Sequence, residues 1–287
     1  MSDVLSPESE KKLRALIREA NVSAVEDLII QNAMECATLS TTEPDDYSQT
    51  GNSRYGGLPD LPVSLSWPQS RFGYLAFLMQ INLADVPPFA GKRLPDSGLL
   101  YFFADDQDAV VLYSDETSLV KTSPPSFVDT DREGNAEEVL APKPAVDWYD
   151  DTKPYHLAIR AAIDLPEWTS EAESEISEAL ETSDGQEAAD RYRELVRSLM
   201  GRGQDDYDGE WAGKLGGAPC WIGHIPDWAE GADPQNLPDE EVLLALLNSN
   251  TSVNMMFGDA GYILLYAPRA EIEARTFGCV TMEQESS

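Results

Sequence analysis

Histidine, cysteine and clustered carboxylates carry much of protein chemistry, and in this chain none of them is spaced to complete a familiar site. The two histidines, His156 and His224, lie far apart and outside any HxxxH or HExxH pattern, so paired imidazole ligands are missing. The three cysteines, Cys36, Cys220 and Cys279, are scattered and odd in number, with no CxxC pair. They read as buried free thiols of a reducing compartment. Cys220 stands four residues before His224, and a thiolate nucleophile needs a base within hydrogen-bond reach. Such a pair meets only on a helix, and the Gly and Pro of this stretch keep it out of one. No GxSxG elbow, GxxxxGK[ST] loop or GxGxxG turn occurs. The chain reads as non-enzymatic, with no metal and no cofactor.

Carboxylates are abundant, in clusters such as Asp105, Asp106 and Asp108, or Asp129, Asp131 and Glu133. The cluster Asp205, Asp206 and Asp208, followed by Gly209 and Glu210, has the flavour of a calcium loop. An EF-hand counted from Asp205 would need glycine at its sixth position and glutamate at its twelfth, and Gly216 stands at the twelfth. Each cluster therefore reads as solvated charge. Glu171, Glu175 and Glu178 differ, because spacings of four and seven place them on one face of a helix. Like charges so placed repel one another unless a cation offsets them. The strip could imitate the phosphate rail of a nucleic acid, or be an ordinary solvated helix face.

Twenty Lys and Arg stand against 52 Asp and Glu, a formal charge of −32. A field of that sign repels nucleic acids and anionic membranes and speeds the capture of a basic partner. The alternative source of the acidity is adaptation to a salty cytoplasm, which the seven lysines fit. A basic-then-apolar leader and a membrane-spanning apolar run are both absent from the sequence, so a cytoplasmic location is expected.

Residues 1–35 read as two helices. Ser6-Pro7 opens the first, Leu13, Leu16, Ile17 and Ala20 stripe it, and Ser23 with Glu26 forms a capping box for the second. Residues 36–121 are strand-rich, with buried strands at Leu75–Leu83, Leu99–Phe103 and Val110–Tyr113. Residues 122–204 form an insertion holding a strand near His156–Ile163 and two helices, Ser170–Glu181 and Gln186–Met200, the second capped by Gly201. Residues 205–287 are strand-rich again. The expected fold class is α+β, a mostly antiparallel sheet core in one compact unit.

The second strand-rich segment echoes the first. Gly216-Gly217-Ala218-Pro219 matches Gly56-Gly57-Leu58-Pro59, Leu243–Asn248 matches Phe77–Asn82, and Gly261–Tyr266 matches Gly98–Phe103, in the same order at nearly constant offset. This predicts an internal duplication whose two copies share one sheet, with the helical insertion between them. The run Ser53–Pro62, Ser66-Trp67-Pro68, Phe77–Leu83, Leu94–Phe103 and Gly258-Asp259-Ala260-Gly261 resembles the YwqG-like family, a bacterial domain family of unknown function. One departure is Leu246, where the family's second half tends to have Gln. The resemblance implies an internally duplicated α+β fold. It also implies, through family members that keep genomic company with toxins, an immunity role.

The expected function is thus a non-enzymatic acidic binding protein that neutralises a basic, nuclease-like toxin. Glu171, Glu175, Glu178, Asp205, Asp206 and Asp208 would supply the attraction. Trp211 and Trp228, with Trp148 and Tyr149, would be anchors or else core residues. The alternatives are a small-ligand binder or unrecognised enzyme using the groove between the two copies, and a housekeeping protein whose acidity is salt adaptation.

Overall fold

A computed structural model describes residues 4–70, 73–130, 136–140, 152–167, 170–203, 209–222, 225–229, 237 and 241–286. Strands are numbered β1 to β16 and helices α1 to α5 along the chain. Two long strands, β1 (Met34–Pro44) and β12 (Tyr155–Asp164), run antiparallel at the centre of a ten-stranded sheet, with Met34 opposite Asp164 and Thr41 opposite Leu157. Beyond β1 come β13 (Trp211–Gly216), β14 (Glu241–Asn248), β15 (Tyr262–Pro268) and β16 (Thr281–Glu285). Beyond β12 come β2 (Arg54–Tyr55), β6 (Ala76–Asn82), β7 (Leu99–Ala104) and β8 (Ala109–Ser114). Every neighbouring pair is antiparallel. Three small ribbons complete the strands: β3 (Asp60–Pro62) with β9 (Leu119–Lys121), β4 (Gln69–Ser70) with β5 (Gly73–Tyr74), and β10 (Ser126–Thr130) with β11 (Ala136–Leu140).

The strands β6, β7, β14 and β15 are almost wholly buried, which explains their apolar runs without clean alternation. Successive side chains still leave on opposite faces. One face carries a single apolar cluster that crosses both halves of the sheet, from Leu100 and Phe102 through Leu39 to Leu247 and Leu265. The other face is divided. Phe77, Tyr101, Phe103 and Trp67 gather on one half, and Trp211, Trp221, Leu264 and Tyr266 on the other. A helical layer closes one end: α1 (Pro7–Glu19), α2 (Glu26–Asn32), α3 (Glu171–Asp184) and α4 (Gln186–Met200) bury Leu13, Ile17, Ile29, Ile176, Leu180 and Tyr192 with Ile163 of β12. A short helix, α5 (Arg269–Ala274), follows β15.

The Ser6 cap forms as expected, its hydroxyl accepting from the Ser9 amide, and Gly201 ends α4 in a left-handed conformation. Ser23 and Glu26 do not form a capping box: a 3-10 turn, Ser23–Val25, leads straight into α2 without a side-chain cap. The insertion is more than helical, because β12 within it supplies one of the two central strands. The three echoed segment pairs lie at matching steps from the centre: β2 and β13 one strand out, β6 and β14 two, β7 and β15 three.

Candidate functional site

Each half of the sheet buries one cation at the same step from the centre. Arg54 on β2 and Lys214 on β13 both have almost no exposed surface, and each stands two residues before its Gly-Gly pair. The carboxylates come from the ends of the two central strands: Asp45 follows β1, and Asp164 is the last residue of β12. The close approach explains the glycines. A Cβ on Gly57, at φ +70°, would lie 2.3 Å from the Tyr47 hydroxyl, and one on Gly217, at φ +82°, would lie 2.3 Å from Asp164 Oδ2.

The Arg54 site is saturated. Nε donates to Asp45 Oδ2 at 2.5 Å, Nη1 to the Leu58 carbonyl, and Nη2 to Asn52 Oδ1, with Asp60 Oδ2 at 3.1 Å. Asp60 Oδ2 also accepts from the Gly51 amide and from Gln80 Nε2, and Gln80 Oε1 accepts from the Asp60 amide. Burial alone would raise the Asp45 carboxyl, but hydrogen bonds from Asn52, Arg54 and the Tyr47 amide outweigh it and hold its pKa below the ordinary value. His156 joins this network. Because Arg54 only donates, Asn52 Oδ1 must face it, so Asn52 Nδ2 donates to His156 Nδ1 at 2.8 Å. The His156 proton then sits on Nε2, 3.7 Å from Asp45 Oδ1. An imidazole so held braces a scaffold.

The Lys214 site is sparser. Nζ donates to Asp164 Oδ2 at 2.6 Å, which also accepts from the Ala218 amide, while the buried Asp164 Oδ1 has no hydrogen-bond partner among the described residues. Burial opposes the lysine's charge, yet the Asp164 carboxylate prevails and raises its pKa. Nearby, Glu167 accepts from Arg202 at 2.7 Å, and Arg202 lies 3.9 Å over the Trp211 ring. Burial raises the Glu167 carboxyl above its ordinary value. Cys36 and Cys220 share this region. Burial, with Asp164 second, pushes the Cys36 thiol far up, and burial, with Glu167 second, pushes Cys220 up to about 12. Neither is a nucleophile at neutral pH. Cys279 corrects the reading of three buried thiols, since it is exposed beside Glu271, which holds its thiol above the ordinary value.

The acidic strip lies on α3. Glu171, Glu175 and Glu178 are exposed on α3, and none has an ion-pair partner among the described residues. Glu173, turned toward α4, lies 3.8 Å from Arg193 and accepts from Ser177. Trp211 and Trp228 are placed differently. Trp211 is 2% exposed, and its indole nitrogen donates to Thr38, so it is a core residue and no surface anchor. Trp228 is half-buried, donating to Glu283 Oε1 at 2.7 Å and packing edge-on against Tyr266 at 5.0 Å. Asp205, Asp206, Asp208, Trp148, Tyr149 and His224 lie outside the described residues. Asp105 is not solvated charge: it is buried and shapes the β7–β8 turn, Oδ1 accepting from the Gln107 and Asp108 amides. Among the described residues no group of His, Cys, Asp and Glu is arranged to hold a metal, and no helix is long and apolar enough to cross a membrane.

Sequence reasoning missed Arg54 and Lys214. The signal was present, because the offset that superposes the two Gly-Gly pairs also superposes these two cations. A cavity of about 70 Å³ lies where residues 89–94, from the chain between β6 and β7, meet Gly216, Gly217, the start of β14 and α5.

Fold and site together define an α+β protein on a large antiparallel sheet, braced by buried ion pairs in both halves. The chain belongs to the family described as "Domain of unknown function (DUF1963)", whose profile matches residues 53–285. No curated protein matches it.

Proposed function

We propose that this protein is a non-enzymatic, acidic binding protein of the cytoplasm that captures a basic protein through the outer face of α3. The carrying observation is the strip of Glu171, Glu175 and Glu178, exposed and without ion-pair partners among the described residues, on a chain of formal charge −32. Such like-charge neighbours cost an isolated helix about 0.2–0.5 kcal/mol per pair, which a cationic partner would reverse. The helix tolerates the strip because Ile176 and Leu180 fix its opposite side in the core. A basic, nuclease-like toxin is the partner class to test first, in keeping with the likeness to YwqG-like proteins and their implied immunity role. The matching steps of β2 and β13, β6 and β14, and β7 and β15 support an origin by internal duplication, in which the central strands were exchanged between copies.

Co-expression with the product of the neighbouring reading frame tests the reading. Rescue of growth and co-elution of a basic protein at low salt, lost at molar salt, are the expected results. A melting temperature that climbs steeply with molar salt, with no co-eluting protein, would favour salt adaptation instead.

A further inference from the structure

Several arginines of this protein, buried or exposed, pair with carboxylates, and one guanidinium at a cavity does not. Arg14, Arg18, Arg54, Arg193 and Arg202 all pair with Asp or Glu. Arg269, at the start of α5, has no ion pair among the described residues, and its Nε is buried without a hydrogen-bond partner. Arg269 lines the cavity of about 70 Å³ between α5, β14 and the 89–94 segment. Arg93, exposed and likewise without an ion pair, lines it too.

We infer that this cavity is a binding site for a small aliphatic monocarboxylate, gripped by Arg269 with Arg93 at the rim. Nε and one terminal nitrogen form an edge of the guanidinium that holds a carboxylate through two parallel bonds. The other walls, Phe89, Leu244 and Ile272, suit an alkyl chain. The small size favours a short ligand, such as an acid of about four carbons. Charge narrows the choice further. Glu35 and Glu241 also line the cavity, and the whole chain is strongly negative, which opposes any anion and opposes a dianion such as phosphate or succinate more than a monoanion. Glu35 does not compete for Arg269, since Oε1 accepts from the Ser6 amide and hydroxyl and Oε2 from the Ala90 amide. The site is distinct from the α3 face and stands or falls without it.

The test is thermal unfolding of the full chain in sodium butanoate, acetate, succinate and phosphate, each against sodium chloride of equal ionic strength. Butanoate at about ten times its Kd should raise Tm by roughly 3 °C beyond chloride, acetate by less, and the dianions not at all. Arg269→Met should abolish the butanoate shift, while its ligand-free Tm equals or exceeds that of the parent, because an unsatisfied buried donor is gone. Arg269→Lys, which keeps the charge but loses the fork, should retain less than half the shift. The inference is overturned if butanoate acts no differently from chloride, if phosphate stabilises equally, or if the shift survives Arg269→Met. A ligand-free Tm several degrees lower in Arg269→Met overturns it as well, by showing the guanidinium to be a structural strut.

Discussion

The two buried ion pairs occupy corresponding places and are built by opposite strategies. Arg54 lies opposite Gln80 in the β2–β6 ladder, and Lys214 lies opposite Leu246 in the β13–β14 ladder. Around Arg54, Gln80 and Asn52 extend the pair into a network in which each guanidinium nitrogen has an acceptor. Around Lys214 the amide is replaced by leucine, the thiols of Cys36 and Cys220 lie close, and one Asp164 oxygen has no hydrogen-bond partner among the described residues. The contrast teaches how a buried charge is tolerated. Desolvation costs several kcal/mol per ion, so a fork with many donors invites a full set of acceptors, whereas a single ammonium can make do with one close carboxylate.

Removing the cations should break the comparison most sharply. Arg54→Met strands Asp45 and Asp60 and should destabilise by at least about 5 kcal/mol, and Lys214→Met, stranding Asp164 alone, by about 3–5 kcal/mol, measured by urea unfolding. The pairs should then separate on rescue. Asp164→Asn keeps an acceptor for the Ala218 amide and should recover most of the Lys214→Met loss. Asp45→Asn should recover little of the Arg54→Met loss, because Asp60 stays stranded. Equal rescue in both halves would show that saturation of the network is irrelevant.

Gln80→Leu, which copies the second half into the first, ranks next. It leaves the Asp60 amide and the Asn52 carbonyl short of a partner and should cost about 1–3 kcal/mol in the same measurement.

The pH dependence of stability should separate the halves more gently. The folded pKa of Asp45 lies below its ordinary 3.8, so its contribution is present above that value and is lost as pH falls through the folded pKa. That of Glu167 lies above its ordinary 4.5, so its contribution is full below 4.5 and shrinks as pH rises from there through the folded pKa. Asp45→Asn should flatten the acid limb of the stability profile, and Glu167→Gln the decline above 4.5. The smallest effect is chemical: of the three thiols, only Cys279 should react with a thiol reagent in the native state, and Cys36 and Cys220 only on unfolding.

Elements whose signals are local were legible in the sequence. The Ser6 cap, the Gly201 stop and the apolar runs of β6, β7 and β15 need only their own residues to be read. The central pairing of β1 with β12 was hidden, because Met34 meets Asp164 across more than a hundred residues of chain and no local pattern encodes that. The choice between anchor and core for Trp211 was open in the sequence for a related reason. Its acidic sequence neighbours suggested a surface, while Thr38, which accepts from its indole, comes from a distant strand. The acidic strip on α3 was legible because helical spacing alone assigns its face.

The central claim is that a particular acidic face, and not net charge, captures the partner. Its most direct test is to measure Kd for the co-eluting basic protein with Glu171→Gln/Glu175→Gln/Glu178→Gln and with a control of equal charge change, Glu187→Gln/Glu194→Gln/Glu273→Gln, whose sites are exposed on α4 and α5. The account predicts a loss of at least about tenfold for the α3 variant and under about twofold for the control at physiological salt. Equal losses in the two variants would contradict it.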